Sequence, residues 1–249
     1  MRRCGGRVAL LVRLGAAAGL VLLVWLAGDV VMPLVAARLV AAELAGRTAA
    51  GTVQVKVETR PGWRLLLGEV SYLHLDLRDA RFGQLPVSAF VLDAHDLAMD
   101  PGKLWRRGGI SLRRHGPLRA TLRLTEADLN RYLWATADQE RLFRLTLGRG
   151  TAAAEGSLSL LGQRIPLRLK GRFLVEPPLT LRYVPEEFFL AQVQVPRALL
   201  ENVVARVFAV RIRVGDLPVP VRLTDVRVEP GRLFLFASAE DRVDGGGRI

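Results

Sequence analysis

The sequence predicts an α+β fold in which amphipathic helices cover the inner face of a long antiparallel β-sheet, preceded by one N-terminal transmembrane or signal helix. From Thr52 to Ala237 most of the chain alternates apolar and polar residues with a period of two, which is typical of half-buried strands. Pro196–Val210 instead repeats apolar residues at helical spacing. Leu14–Gly28 is uncharged and almost wholly apolar.

The N-terminal segment has the charge pattern of a membrane-targeting sequence. Residues 1–13 carry four arginines: Arg2, Arg3, Arg7 and Arg13. The apolar run that follows suits a signal-peptide core, and it can also span a bilayer if Val8–Gly28 is helical. No small-residue cleavage site follows, so we expect residues 1–31 to form a signal anchor, with a cleaved signal peptide as the alternative. The positive-inside rule then leaves the N-terminus inside and the rest outside.

The remaining helices and turns follow from local signals. The Ala-rich segment Pro33–Arg47 predicts a helix, and Thr125 is a good N-cap for a helix that reaches about Ala137. Trp63–Leu67 predicts a short apolar turn or helix that ends at Gly68. Glu186–Glu187 predicts a turn or a first helical turn, and residues 241–249 predict a disordered tail.

The alternating runs are predicted as strands. They are Thr52–Thr59, Val70–Arg78, Pro86–Leu97, Leu118–Leu124, Leu142–Leu147, Gly156–Leu161, Ile165–Val175, Leu179–Tyr183, Phe189–Val195, Arg211–Val214, Val219–Val228 and Leu233–Ala237. Gly162–Gln163 and Pro230–Gly231 predict turns between neighbouring strands.

Charge and cysteine content limit the partners. The formal net charge is +12, from 36 basic and 24 acidic residues. Even without the four N-terminal arginines this excess favours anionic partners such as phospholipid headgroups, cell-wall polyanions or nucleic acid. Nucleic acid is a poor candidate because the main domain is predicted to lie outside the cytoplasm. Cys4 is the only cysteine, so the chain forms no internal disulfide.

The sequence contains no motif that predicts catalysis, a metal or a cofactor. His74, His95 and His115 lie in different segments without ligand spacing. Asp93, Asp96 and Asp100 lack the glycine and terminal glutamate of a calcium loop, so they predict a solvated face. G-x-S-x-G, Walker A and G-x-G-x-x-G motifs are absent. We therefore predict no enzyme, and a lipid or glycan hydrolase is the least favoured function.

Several segments together resemble a known family. They are AARLVAAELAG, VQVKVETRPGWRLLLGEV, VSYLHLDLRDARFGQLPVSAFVLDAHDLAMD, PGKLWRRG, LRATLRLTEADLNRYL and LPVPVRLTDVRVEPGRLFLFAS. With them the chain resembles the LmeA-like phospholipid-binding family of bacterial envelope proteins from about Ala36 to Ala237. The resemblance implies an extracytoplasmic lipid-binding domain, here residues 32–240, built as a curved antiparallel sheet wrapped around helices, similar to tubular lipid-binding folds. It implies no catalytic residues.

The predicted site combines apolar and basic residues. The expected lipid-binding residues are Trp63, Leu66, Leu67, Leu104, Trp105, Leu200, Val204, Val207 and Phe208. The expected headgroup contacts are Arg106, Arg107, Arg113 and Arg114, although a solvated rim explains these clusters equally well. The turn residues could instead be ordinary core at the end of the sheet.

The predicted function is an extracytoplasmic, membrane-anchored protein that binds or transfers phospholipid or another acyl-chain lipid at the bacterial plasma membrane. The alternative is a non-enzymatic scaffold with a filled core that supports an envelope-assembly enzyme. Bound lipid distinguishes the two, because only the first requires it.

Overall fold

A computed structural model gives the fold. It describes residues 29, 31–42, 44–46, 48–100, 112–136, 138, 140–160, 163–191, 193–195, 211–215, 217, 219–240 and 242–243. Three predicted features lie outside these residues: the apolar run 14–28, a turn predicted at Pro101–Trp105 and the amphipathic helix at 196–210.

The described residues form fourteen strands in two antiparallel sheets. They are β1 (Thr52–Glu58), β2 (Glu69–Phe82), β3 (Leu85–Met99), β4 (Leu112–His115), β5 (Leu118–Thr125), β6 (Phe143–Leu147), β7 (Ala152–Leu160), β8 (Gln163–Glu176), β9 (Thr180–Leu190), β10 (Val193–Gln194), β11 (Arg211–Arg213), β12 (Arg222–Glu229), β13 (Arg232–Ala239) and β14 (Arg242–Val243). The eight-stranded sheet has the order β1-β2-β3-β5-β13-β12, with β4 beside β3 and β14 beside β4. The six-stranded sheet has the order β10-β9-β8-β7-β6, with β11 also beside β9. The antiparallel α+β class is confirmed, with two sheets in place of one.

Two predicted helices are confirmed within the described residues. Helix α1 includes residues 31–42 and 44–46, and its inner face places Leu44 in the core. Helix α2 (Glu126–Thr136) begins after Thr125, whose Oγ1 accepts a hydrogen bond from the Asp128 N–H at 3.2 Å. The Asp128 carboxylate in turn accepts the Thr125 N–H at 2.9 Å, so the two residues cap the helix reciprocally.

Helix α2 explains why the strands divide between two sheets. One edge of β6 is paired with β7, and side chains of α2 bond to the backbone of its other edge. Asn130 accepts the Leu145 N–H at 2.7 Å and donates to the Leu145 carbonyl at 2.8 Å. Glu126 accepts the Leu147 N–H at 2.7 Å, and Trp134 donates to the Phe143 carbonyl at 2.8 Å. These bonds occupy the edge on which another strand would pair.

A single apolar cluster joins both sheets. Most of its fully buried side chains come from the inward-facing positions of the strands, as the alternation predicts, and Leu129 comes from helix α2. Phe82 and Phe90 meet edge to face with 5.1 Å between ring centroids. On the other sheet, Tyr183 is buried and its hydroxyl contacts the Leu169 carbonyl at 3.1 Å, and this burial raises the pKa of its phenol. Backbone bonds such as Leu223 N–H to the Pro178 carbonyl, at 2.8 Å, connect the sheets directly.

The prediction of a turn at Glu186–Glu187 is wrong, because β9 continues through both residues. The pairing of β8 with β9 shifts register between Lys170 and Gly171, and Pro185 lies opposite Gly171. A Cβ on Gly171 would lie 2.2 Å from the Val184 carbonyl oxygen, so only glycine admits this close approach. Proline is tolerated in strands at such irregularities.

Two short strands were not predicted. Residues 112–115, which were assigned to no predicted strand, form β4 against β3. Residues 242–243, predicted as part of a disordered tail, form β14 against β4. Both strands are too short for alternation to identify them.

Candidate functional site

A 3-10 helix (Gly62–Leu67) presents apolar side chains to solvent between β1 and β2. Trp63, Leu66 and Leu67 are 49%, 47% and 55% exposed. Positions three apart eclipse one another in a 3-10 helix, so Trp63 and Leu66 share a face. Gly68 ends the helix with φ at 79°, and its N–H donates to the Leu65 carbonyl at 3.0 Å. These three residues are therefore not part of the core. The alternative interpretation, in which the turn residues are ordinary core at the end of the sheet, is wrong for them.

Helix α1 exposes a second apolar set. Val31, Leu34, Val35 and Leu39 are all about half-exposed or more, and positions 31, 35 and 39 follow helical spacing on one side. The carboxylate of Asp29, the first described residue, accepts the N–H of Gly62, at the start of the 3-10 helix. Seven of the ten exposed large apolar side chains in the described residues belong to these two joined elements. We call these seven residues the apolar patch.

Basic side chains lie at the same end of the sheet. The Met99 N–H donates to the Gly68 carbonyl at 2.7 Å, and Met99 is paired with Leu112 of β4. Arg113 and Arg114 of β4 are exposed, and Arg113 forms an ion pair with Asp100 at 3.0 Å. The predicted headgroup contacts Arg113 and Arg114 thus lie near the 3-10 helix.

The remaining predicted site residues lie outside the described part of the chain. They are Leu104, Trp105, Arg106, Arg107, Leu200, Val204, Val207 and Phe208. The first four belong to the connection between β3 and β4, which ends near the 3-10 helix. Their contact with lipid remains a prediction.

A cleft of about 660 Å³ opens at the other end of β2. The tip of the β2–β3 hairpin, the β8–β9 turn, β11 and Tyr132 of α2 form its walls. Phe82 and Pro177 supply apolar surface, whereas Gln84, Arg211 and Arg213 supply polar groups. This volume is in the range of small-molecule sites. Sequence reasoning did not find the cleft, because its walls come from four distant segments.

Strand register also gathers two of the three histidines. Tyr72 is paired with His95 and His74 with Asp93 across β2 and β3. Asp93 Oδ1 accepts the Tyr72 hydroxyl at 2.7 Å and lies 2.8 Å from His74 Nδ1. Burial raises the pKa of Asp93, but the bonds from His74 and Tyr72 outweigh burial and hold that pKa below its usual value. The hydrogen bond to Asp93 raises the pKa of Tyr72.

Neither a metal centre nor a membrane-spanning helix is found in the described part of the chain. No three His, Cys, Asp or Glu side chains there are placed to hold a metal ion. In the same residues, no helix is both long and apolar enough to span a bilayer.

The comparison with known proteins identifies the family. No significant match was found among curated proteins or among solved structures. Residues 27–238 match the LmeA-like phospholipid-binding family, which is most of the chain and includes α1, the 3-10 helix, the cleft and every strand except β14 and the last residue of β13. The resemblance drawn from the sequence segments is confirmed: this chain belongs to the LmeA-like phospholipid-binding family.

Proposed function

We propose that this protein binds phospholipid at the outer side of the bacterial plasma membrane, where its N-terminal segment anchors it and the apolar patch contacts the bilayer. The observation that carries the proposal is the exposure of Trp63, Leu66 and Leu67 in a member of a phospholipid-binding family. Exposing three large apolar side chains of one 3-10 helix to water is unfavourable in free energy, and their transfer into a bilayer removes that unfavourable term.

The surroundings of the 3-10 helix suit the membrane interface. Tryptophan favours the level of the headgroups, where its ring is half in the apolar phase. Exposed Arg113 and Arg114 lie close enough to the helix to meet anionic headgroups, and each such cation adds roughly 1 kcal/mol near a charged bilayer. Apolar insertion and basic contact thus support the same orientation.

The position of α1 agrees with this orientation. Asp29 comes directly after the apolar run Leu14–Gly28, and its carboxylate accepts the N–H of Gly62 at the start of the 3-10 helix. An anchor in that run would therefore end beside the apolar patch. The bilayer that holds the anchor is then the bilayer that the patch contacts.

The finer features of the proposal extend the family assignment. In this proposal the segment 196–210 forms a helix whose apolar side meets acyl chains, and the sheets enclose it in a tubular arrangement. The protein performs no chemical step on the lipid, and the lipid is its required partner.

Lipid extraction from the purified full-length protein tests the proposal. The protein is purified from the membrane fraction in mild detergent, and native mass spectrometry and thin-layer chromatography of the extract are compared with a mock purification. Phospholipid in a fixed ratio to protein is the expected result. Protein that is repeatedly free of lipid under these conditions, yet co-purifies with an assembly enzyme, would support the scaffold alternative.

A reporter fusion tests the location separately. A phosphatase that is active only outside the cytoplasm is fused after Ile249, and a matched fusion carries Arg2, Arg3, Arg7 and Arg13 changed to Glu. The first fusion should be active and the second should lose activity, since the positive charges hold the N-terminus inside. Activity of a cytoplasm-dependent reporter at Ile249 would contradict the proposed location.

A further inference from the structure

We infer that the cleft between the β2–β3 hairpin tip and β11 binds the phosphate of a phospholipid headgroup, with Arg213 as its main contact. This inference rests on the proposed lipid-binding function and assigns a headgroup site within it. The site uses only described residues of the cleft.

The cleft is held open by a close backbone contact. Gly215 lies against the hairpin tip, and a Cβ at this position would be 2.9 Å from the Phe82 carbonyl oxygen. Gly83, at the tip, has φ at 61° and approaches Gly215. The absence of a side chain at Gly215 lets the hairpin tip meet the chain after β11, and the buried Phe82 lies at this contact and lines the cleft.

Strand alternation directs two arginines to the same side. Ile212 is 1% exposed, so Arg211 and Arg213 project from the opposite face of β11, and both line the cleft. Arg213 is paired with Thr180 of β9, which also lines the cleft. Within the described residues, Arg213 forms no ion pair.

The described lining of the cleft carries two arginines and one carboxylate, so its excess positive charge favours an anion. Arg211 is paired directly with Arg182 across β11 and β9, and like charges at such positions destabilise a sheet. Glu176 is the one carboxylate among the described lining residues, and its Oε2 lies 3.3 Å from Arg211 Nε. That oxygen is shielded from solvent and makes no hydrogen bond within the described chain. Arg211 therefore has an ion-pair partner, whereas Arg213 has none among the described residues.

The groups that line the cleft suit a phosphate. A guanidinium binds two phosphate oxygens at once, and a hydroxyl and an amide at fixed positions can donate to the others. Arg213 supplies the guanidinium, Thr180 supplies the hydroxyl and Gln84 supplies the amide. A phosphodiester can thus lie in the cleft with its glycerol side over Phe82 and Pro177.

Calorimetry on the full-length protein in non-ionic detergent tests the site. The ligands are short-chain phosphatidylglycerol, its chain-free headgroup glycerophosphoglycerol, inorganic phosphate and short-chain diacylglycerol. The test variant is Arg213→Gln. The matched control is Arg164→Gln, an equally exposed strand arginine twelve positions before Glu176 on β8, roughly 40 Å away along the strand.

We expect Arg213→Gln to weaken phosphatidylglycerol binding by about tenfold to a hundredfold, the loss of a charged hydrogen-bonded contact, without a change in melting temperature. Arg164→Gln should bind like the natural protein. Equal phosphatidylglycerol affinity in all three proteins would overturn the headgroup site and leave the lipid-binding function intact. Equal affinity of the natural protein for diacylglycerol and phosphatidylglycerol would also overturn the headgroup site and leave the lipid-binding function intact.

The other two ligands separate the sources of phosphate. If the protein binds inorganic phosphate through Arg213 but binds no phospholipid, the cleft is an anion site. Its assignment to lipid and the proposed function are then both overturned. If neither phosphate-bearing lipid nor free phosphate binds, both proposals fail. The headgroup site is supported if short-chain phosphatidylglycerol binds more tightly than glycerophosphoglycerol and the binding of both ligands depends on Arg213.

Discussion

Replacing Leu66 and Leu67 by serine removes apolar surface from the 3-10 helix without disturbing the core. Both side chains point to solvent, at 47% and 55% exposure, while the neighbouring Leu65 packs inward. Exposed substitutions away from caps and special backbone positions change the free energy of unfolding by about 0.5 kcal/mol or less. The variant Leu66→Ser/Leu67→Ser should therefore fold like the natural protein.

The expected effect on membrane binding follows from the exposed fractions. Burying a whole leucine side chain contributes about 1.5–3 kcal/mol, and roughly half of each of these side chains is exposed. The two together should contribute about 1.5–3 kcal/mol to partition into a bilayer. At about 1.4 kcal/mol per tenfold, the variant should bind roughly ten- to hundredfold more weakly.

Vesicle flotation measures this loss. The protein is shortened to residues 29–249, so that the predicted anchor does not hold it on the membrane, and Asp29 still reaches Gly62. The matched control, Leu142→Ser/Val193→Ser, removes two exposed apolar side chains from other elements. Flotation on vesicles containing phosphatidylglycerol should fall only for the first variant. An equal fall in both variants, or none in either, would refute the patch as the bilayer contact.

Three further predictions concern stability and ionisation. Asp128→Ala removes a buried carboxylate bonded to Thr125 and should cost about 1.5–3 kcal/mol by urea unfolding at neutral pH. Burial raises the pKa of Asp128, but its hydrogen bonds outweigh burial and hold that pKa below its usual value. Its contribution to the free energy of unfolding should therefore be present above the pKa of the unfolded state, about 4, and be lost as the pH falls through the lower pKa of the folded state. Asn130→Ala leaves the N–H and carbonyl of Leu145 unpaired and should cost about 1–3 kcal/mol in the same assay, whereas a loss near zero would contradict the edge-capping role. Asp93→Asn should move the pKa of Tyr72 down toward its ordinary value in an absorbance titration, and an unchanged titration would contradict the assigned hydrogen bond.

Local patterns predicted the elements that depend on local physics. The alternation of Val53, Val55 and Val57 identified β1, and Thr125 with Asp128 marked the start of α2, because burial and capping are set by near neighbours. The 3-10 helix was also recognised from its apolar residues between Pro61 and Gly68. Its exposure was undecided, since the same residues suit a core or a membrane contact.

What depends on pairing between distant strands was not predicted. The division into two sheets follows from the edge of β6 being bonded to Asn130, which no periodicity reveals. The continuation of β9 through Pro185 depends on Gly171 of the neighbouring strand. The cleft likewise combines residues near 82, 132, 176 and 211, and only the register of the strands makes Arg213 a neighbour of Thr180.

The positions of the apolar patch and the cleft bear on how lipid would be held. Strand β2 begins beside the 3-10 helix and ends at Phe82 in the cleft, and its 14 residues span up to roughly 40 Å. One leaflet of the hydrocarbon core is only about 15 Å thick. If β2 stands upright on the bilayer, a phospholipid whose phosphate lies in the cleft cannot keep its chains in the bilayer beneath the patch. If both proposals hold, the protein lifts the lipid fully out of the membrane, which favours transfer over simple tethering and requires its apolar interior to accept the chains.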